Sequence, residues 1–344
     1  MAAPHEPSTT TMAEDKKSND ITVLDTDPAA TTALEHFFGA LAVSTFITVW
    51  IASCASPILL FLSLKNGNHI ISMLIILSTV IAYAPWEHGP FSRAFQSFLN
   101  RYHALYYNGV SIVFEGGDVP AKSASHGQTF FAVHPHGAFC IGWALLYHNP
   151  AMRRVRFCFA STLFASPFFR IFSRAANCPG SAARPSMDAY LRRGEDVALP
   201  PGGFEEATLT STKVDRVFIK RRYGFVRLCL KYGVAIRPVY VFGEGKLFNN
   251  VQGLWSTRLS WNRCGIPTII TWGRLLFPLL PKNWVKLHIV VGRPLKLPKI
   301  ENPTKDEVTV WHEKYINELK RIYDEHKVAA YGSEEGKVAK LEVW

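Results

Sequence analysis

From Phe37 to Leu64 the chain contains no Asp, Glu, Lys, Arg or His, a run long enough for one membrane-spanning helix. Lys65-Asn66-Gly67-Asn68-His69 interrupts it, and Ile70 to Trp86 is a second uncharged stretch near the lower limit for a full span. Together they predict a helical hairpin over residues 37–86, either spanning or re-entrant. A secretory signal is disfavoured because thirty-six mostly polar residues come first. Beyond the hairpin, Phe91, Ala94, Phe95, Phe98, Leu99 and Tyr102 recur at helical spacing, with Arg93 and Arg101 on the other face. That pattern suits an ordinary helix packed on a core equally well, but its place beside the hairpin favours a helix lying in the membrane interface.

The pattern then changes to short apolar runs separated by helical periodicities. Val110–Phe114, Thr129–Val133, Val155–Phe159, Val197–Leu199, Val234–Phe242 and Leu287–Val291 read as strands, with helices around Leu163–Ala175, Ser186–Arg193 and Tyr223–Tyr232. Such alternation predicts an α/β domain with a largely parallel sheet, over residues 87–328. Thr304-Lys305-Asp306-Glu307 is a capping box after Pro303, opening a helix with Val308, Trp311, Tyr315, Leu319 and Ile322 on one face. Residues 329–344 read as a loosely ordered tail.

Charge refines this division. The 344 residues carry a formal charge of +11. Residues 1–36 hold two lysines against seven acids, a net of −5, so the remainder carries +16. The leading segment, rich in Thr, Ser, Pro and Ala, reads as a disordered acidic tail. The basic remainder suits anionic lipid headgroups or a polyphosphate ligand; with no recognisable nucleic-acid module, nucleic acid is not expected as a partner. Six cysteines, at 54, 140, 158, 178, 229 and 264, lack any C-x2-C pair, and Asn302-Pro303-Thr304 is blocked as a sequon by its proline. Both features favour a domain facing the cytosol.

Candidate chemistry clusters where strands end. His134-Pro135-His136-Gly137 follows the run Thr129–Val133 and puts two imidazoles, the side chains suited to taking a hydroxyl proton near neutral pH, at a backbone kink. A loop with one satisfied and one solvated histidine is the plain alternative. Gly202-Gly203-Phe204-Glu205-Glu206 offers backbone amides for an oxyanion and carboxylates to orient an imidazole, or merely a turn that starts a helix. Lys220, Arg221, Arg222 and Arg227 could grip an anion or line a solvated helix face.

Taken in order, these motifs resemble the type-2 diacylglycerol acyltransferases with their monoacylglycerol and wax-alcohol relatives. The resemblance rests on the hairpin, His134-Pro135-His136-Gly137, the Gly202–Glu206 block, Arg222-x-Gly224-Phe225-x-Arg227 with Gly233, Pro238, Phe242 and Gly243, and Val291-Gly292-Arg293-Pro294. Cys229, Arg237 and the double proline before Gly202 depart from the family pattern. The resemblance implies a glycerolipid-acyltransferase-like fold and acyl transfer from acyl-CoA to diacylglycerol or another lipid alcohol, at the endoplasmic reticulum membrane or lipid droplets. It needs no metal and no cofactor beyond acyl-CoA as co-substrate. On this reading His136 is the first-choice base and His134 its partner or substitute. Glu206 is the orienting carboxylate, Gly202 and Gly203 are oxyanion donors, and Lys220, Arg221, Arg222 and Arg227 hold CoA phosphates. Pro135, Gly137, Gly224 and Phe225 shape the motifs. Membrane lipids are further partners, and a homo-oligomer stays open. A serine hydrolase lacks its G-x-S-x-G, a zinc hydrolase lacks a third ligand beside His134 and His136, and a non-catalytic lipid-droplet anchor would leave the histidine and glycine motifs as coincidence.

Overall fold

The computed structural model describes residues 19–84, 90–120, 127–176 and 180–344. In chain order the elements are β1 (Ile21–Asp25), α1 (Ala33–Lys65), α2 (His69–Tyr83), α3 (Pro90–Tyr102), β2 (Val110–Phe114), β3 (Thr129–His134), α4 (Ile141–His148), β4 (Val155–Phe159), α5 (Pro167–Ala175), β5 (Gly180–Ser181) and α6 (Arg184–Arg192). There follow β6 (Asp196–Leu199), α7 (Gly203–Leu209), β7 (Asp215–Val217), α8 (Gly224–Tyr232), β8 (Ala235–Phe242), β9 (Asn249–Asn250), α9 (Trp255–Arg263), β10 (Thr271–Trp272), β11 (Leu287–Val291), α10 (Lys305–Tyr331), α11 (Ser333–Val338) and β12 (Leu341–Val343).

Eight strands form one sheet in the order β1-β2-β11-β8-β3-β6-β4-β5. From β8 to β5 all neighbours are parallel, as the alternation of strands and helices predicts. β11 enters antiparallel to β8 and carries β2 parallel to itself, and β1 closes the edge antiparallel to β2. Side chains alternate across β3: Phe131 and Val133 join a core with α3, α4, α5 and the first half of α1, while Phe130 and Ala132 join one with α6, α8 and α10. Each such buried aromatic or branched side chain contributes about 1.5–3 kcal/mol.

The hairpin is built from helices of unequal length. Thr32 and Glu35 form a capping box that starts α1. It is 33 residues long and contains an 18-residue stretch of mean hydropathy 2.0, making it the one helix among the described residues long and apolar enough to cross a membrane. The first half packs on the domain through Ala42, Val43, Phe46 and Ile47. Beyond Pro57, Ile58, Phe61, Leu62 and Leu64 stand exposed, as do Ile70, Met73, Leu74, Ile76 and Leu77 on α2. A Ser63–Ser72 hydroxyl contact of 2.8 Å ties the two helices. At 15 residues α2 is shorter than expected, and Pro85 and Trp86 lie outside the described residues.

Four sequence expectations change. The segment assigned to a disordered tail contains β1, whose Ile21 and Leu24 pair with Phe114 and Ile112 of β2, and α1 begins at Ala33; residues 1–18 lie outside the described residues. The C-terminal part of the apolar face of α3 is turned into the protein, with Leu99 fully buried and Phe98 and Tyr102 against Phe38 of α1, while Ala94 is exposed and the Phe91 side chain lies outside the described residues. The C-terminal residues are ordered: α10 runs to Tyr331, and β12 pairs with β7 because Trp344 extends the ladder, its carbonyl accepting from the Ile219 and Lys220 N–H groups. The helix expected over Leu163–Ala175 is also divided, since Pro167 fits the first turn of a new helix, α5.

Candidate active site

His134 is the last residue of β3 and His136 lies two further on, past a cis His134–Pro135 bond. The strand's alternation directs His134 toward α10, where its ring lies 6.2 Å from that of Tyr315. It is 0% exposed. Its Nδ1 lies 3.0 Å from both Glu206 oxygens. Glu206 also accepts the N–H of His136 at 2.7 Å and that of Phe218 at 2.7 Å. With donors already on both oxygens, the His134 Nδ1 carries the hydrogen and donates. Its Nε2 is buried with no hydrogen-bond partner among the described residues.

His136 is placed differently. Its Nδ1 lies 2.9 Å from the Gly137 carbonyl, which only an Nδ1–H can use. That fixes Nε2 as the lone-pair nitrogen, and no described protein group bonds to it. Burial pushes the imidazole below its ordinary pKa, against the opposing pull of the Gly137 carbonyl and Glu206. His136 is 8% exposed and lines a cavity of about 410 Å³. Trp50 and Cys54 of α1, Cys140, Trp143, Phe159 and Phe204 give that cavity apolar walls. Glu206, the expected orienting carboxylate, holds the ring of His134 and only the backbone of His136.

The glycine block divides its work. A Cβ on Gly202 would sit 2.2 Å from a Glu206 oxygen, so glycine is what admits the carboxylate. Gly203, at φ +61°, opens α7 and lines the cavity with His136. As the first residue of a helix its N–H has no intrahelical acceptor, and it donates to no described group. Neighbouring Glu205 turns the opposite way from Glu206, into an ion pair with Arg222.

That pair changes the reading of the basic cluster. Arg222 bonds to Glu205 and, at 3.1 Å, to the Gly202 carbonyl, fastening the basic turn to the glycine block. Lys220 and Arg221 line a second, open cavity of about 680 Å³ with Phe218, Leu259 and Trp344. Arg263 of α9 joins them, a residue that lies more than forty positions away in sequence and so outside the basic motif. Arg227 is exposed on α8 and lines neither cavity. Gly224 begins α8, and buried Phe225 stacks on Phe130 at 5.6 Å.

Glu244 is the largest omission from the sequence reading, which stops at Gly243. Its fully buried carboxylate accepts the N–H groups of Ile141 and Gly142 at 3.0 and 2.7 Å, capping α4 directly after the histidine loop. A Cβ on Gly137, whose φ is +63°, would come within 2.1 Å of it. Burial raises the Glu244 pKa to about 7. Elsewhere, Glu115, Glu325 and His326 bring three potential metal-ligand atoms together, but Arg321 pairs with both carboxylates. The set reads as an ion-pair network tying α10 to the end of β2.

A profile of the diacylglycerol acyltransferase family matches residues 68–341. Human 2-acylglycerol O-acyltransferase 3 is 33% identical over 218 residues, which is 56% of this chain and 63% of that protein. Diacylglycerol O-acyltransferase 2 of Dictyostelium discoideum is 28% identical over 261 residues, 70% of this chain and 76% of the relative. Mouse acyl-CoA wax alcohol acyltransferase 2 is 33% identical over 183 residues, 48% and 53%. The match thus spans less than two thirds of the first and third of these relatives. No solved structure matches.

Proposed function

The chain belongs to the diacylglycerol acyltransferase family, and from that premise we propose that it moves a fatty acyl group from acyl-CoA to a lipid hydroxyl, with diacylglycerol the first-choice acceptor and triacylglycerol the product. One observation carries the proposal: His136, whose Nε2 has no partner among the described residues, shares an apolar cavity with Gly203 and with Trp50 and Cys54 of α1. His136 Nε2 takes the acceptor's hydroxyl proton as its oxygen attacks the thioester carbonyl. The Gly203 N–H faces the tetrahedral oxyanion, and collapse expels CoA as thiolate, which recovers the proton from His136. A thioester is already activated, so this chemistry asks for no metal.

His134 and Glu206 act as positioning residues, Glu206 holding the His136 backbone by the N–H it accepts. The nucleotide end of acyl-CoA occupies the basic cavity at Lys220, Arg221 and Arg263, and Arg222 links that cavity to Gly202 at the reacting centre. The apolar cavity takes the acyl chains. The hairpin holds the protein on the endoplasmic reticulum membrane with both ends of the chain in the cytosol, and lipid droplets are a second location.

The test is an assay of purified protein with labelled acyl-CoA and diacylglycerol, monoacylglycerol and a long-chain alcohol offered in turn. Triacylglycerol as the main product is expected. A larger yield from either other acceptor reassigns the substrate, and no ester from any of them overturns the enzymatic reading. Protease protection in intact microsomes checks the topology, since a C-terminal epitope shielded until detergent is added contradicts the hairpin arrangement.

A further inference from the structure

Between Val251 and Lys286 the chain carries Arg258, Arg263, Arg274, Lys282 and Lys286, and no Asp or Glu. The same stretch exposes apolar side chains of a size rarely left in water: Leu275 is 95% and Leu276 84% exposed, with Leu254, Ile270, Phe277 and Trp284 also bare. These residues are held outward by specific bonds. The Gly273 N–H reaches the Pro278 carbonyl at 2.7 Å and the Arg274 N–H reaches the Leu280 carbonyl at 3.1 Å, closing a tight loop with Leu275 and Leu276 at its tip. Tyr106 anchors its base by bonding the Pro281 carbonyl at 2.7 Å. Buried Arg258 spends its guanidinium on the Val251 and Thr268 carbonyls, leaving Lys286 exposed and Arg274 and Lys282 half-buried beside the loop.

The position of this segment relates it to the hairpin. Pro267 and Ile269 line the same cavity as Trp50 and Cys54 of α1, so bare apolar surface flanks the cavity on two sides. We propose that residues 251–286 form a second contact with the phospholipid bilayer, the Leu275–Phe277 tip entering the acyl region while Lys286 and its basic neighbours meet anionic headgroups, so that the cavity opens to lipid between this contact and α1. The inference rests on the membrane reading of α1 and α2 and not on the assigned reaction. An apolar tip on a segment whose own charged side chains are all basic is complementary to an anionic membrane, whereas pairing this segment with its own copy would bring like charges together.

The full-length protein is reconstituted in phosphatidylcholine–phosphatidylserine vesicles with dansylalanine replacing Leu275 or, separately, Val310, which is exposed on α10. At position 275 the fluorescence is expected to shift blue and to be quenched by bromine-labelled acyl chains; at 310 it is expected to respond to aqueous iodide. Equal iodide quenching at both positions overturns the proposal. So does energy transfer between copies labelled at 275, which would assign the surface to a second molecule. Neither readout requires turnover, so a failed acyltransferase assay leaves this test intact. If the enzyme is active, Leu275→Asp with Leu276→Asp lowers turnover of vesicle-borne diacylglycerol about tenfold through lost apolar contact, while a short-chain acceptor in detergent is used at the parent rate. An equal loss on both acceptors counts against the proposal.

Discussion

His134 and His136 are separated by one proline, yet they face opposite sides of the sheet. The α10 side seals one imidazole against Glu206 with no route to a substrate, while the α1 side leaves the other in a cavity with a free nitrogen. Under the proposed mechanism, identical side chains acquire different work: His134 and Glu206 pin the loop, and His136 would meet the acceptor. A free lone pair beside a cavity distinguishes a base from an anchor, because a base must reach its proton before its pKa matters.

The sharpest way to break this comparison is to exchange the losses. His136→Ala should lower turnover about 10²- to 10⁴-fold with acyl-CoA binding retained, while His134→Ala acts chiefly on stability. Stopped-turnover assays and acyl-CoA titrations on folded protein check it. Near-normal turnover of His136→Ala reverses the two roles. In the active protein, the lowered pKa of His136 keeps the neutral base populated below the usual imidazole range, so the acid limb of the kcat profile should lie below pH 6.5.

Glu244 extends the comparison to the far side of the loop. Its carboxyl binds protons more tightly folded, at about 7, than at its ordinary 4.5, so its contribution is complete below pH 4.5 and is lost as pH rises toward 7. The difference amounts to about 3 kcal/mol. Melting temperatures from pH 4.5 to 8 should show that decline, and Glu244→Gln should flatten it. A parallel slope in both proteins would exclude Glu244 as its source. A smaller effect is expected of Glu206→Gln, whose amide NH2 must face a backbone N–H that an oxygen now accepts, at about 1–3 kcal/mol. In kinetics it should act on kcat more than on KM. The smallest effect belongs to the basic cavity. Neutralising Lys220, Arg221 and Arg263 together should raise the acyl-CoA KM several-fold and weaken its salt dependence, with single changes worth about 0–1 kcal/mol each. An equal rise in the acceptor KM would point to disturbed folding.

Much of the scaffold is legible along the chain because its strands are buried apolar runs: Val110–Phe114 and Leu287–Val291 match the observed β2 and β11 residue for residue. The capping box at Thr304 likewise marks where α10 starts. Their order is not legible, since inserting β11 between β2 and β8 depends on contacts across more than 170 residues. The site divides in the same way. Histidines, glycines and acids announce themselves by type, but the partner of each is settled in space. Arg222 reads as a phosphate grip and is taken by Glu205, Arg227 lines neither cavity, and Glu244 reaches the histidine loop from 107 positions beyond Gly137.

Trp50 and Cys54 make one wall of the His136 cavity out of a helix that itself belongs to the hairpin. With that helix in a bilayer, the proposed acceptor would reach His136 by diffusing within a leaflet, and the concentration it obeys would be its mole fraction among the surrounding lipids. Diluting the vesicles into more buffer would leave the velocity per enzyme unchanged at saturating acyl-CoA, whereas adding inert phospholipid to the same vesicles would slow it. A protein arranged this way monitors the composition of its own membrane, working faster wherever the acceptor accumulates.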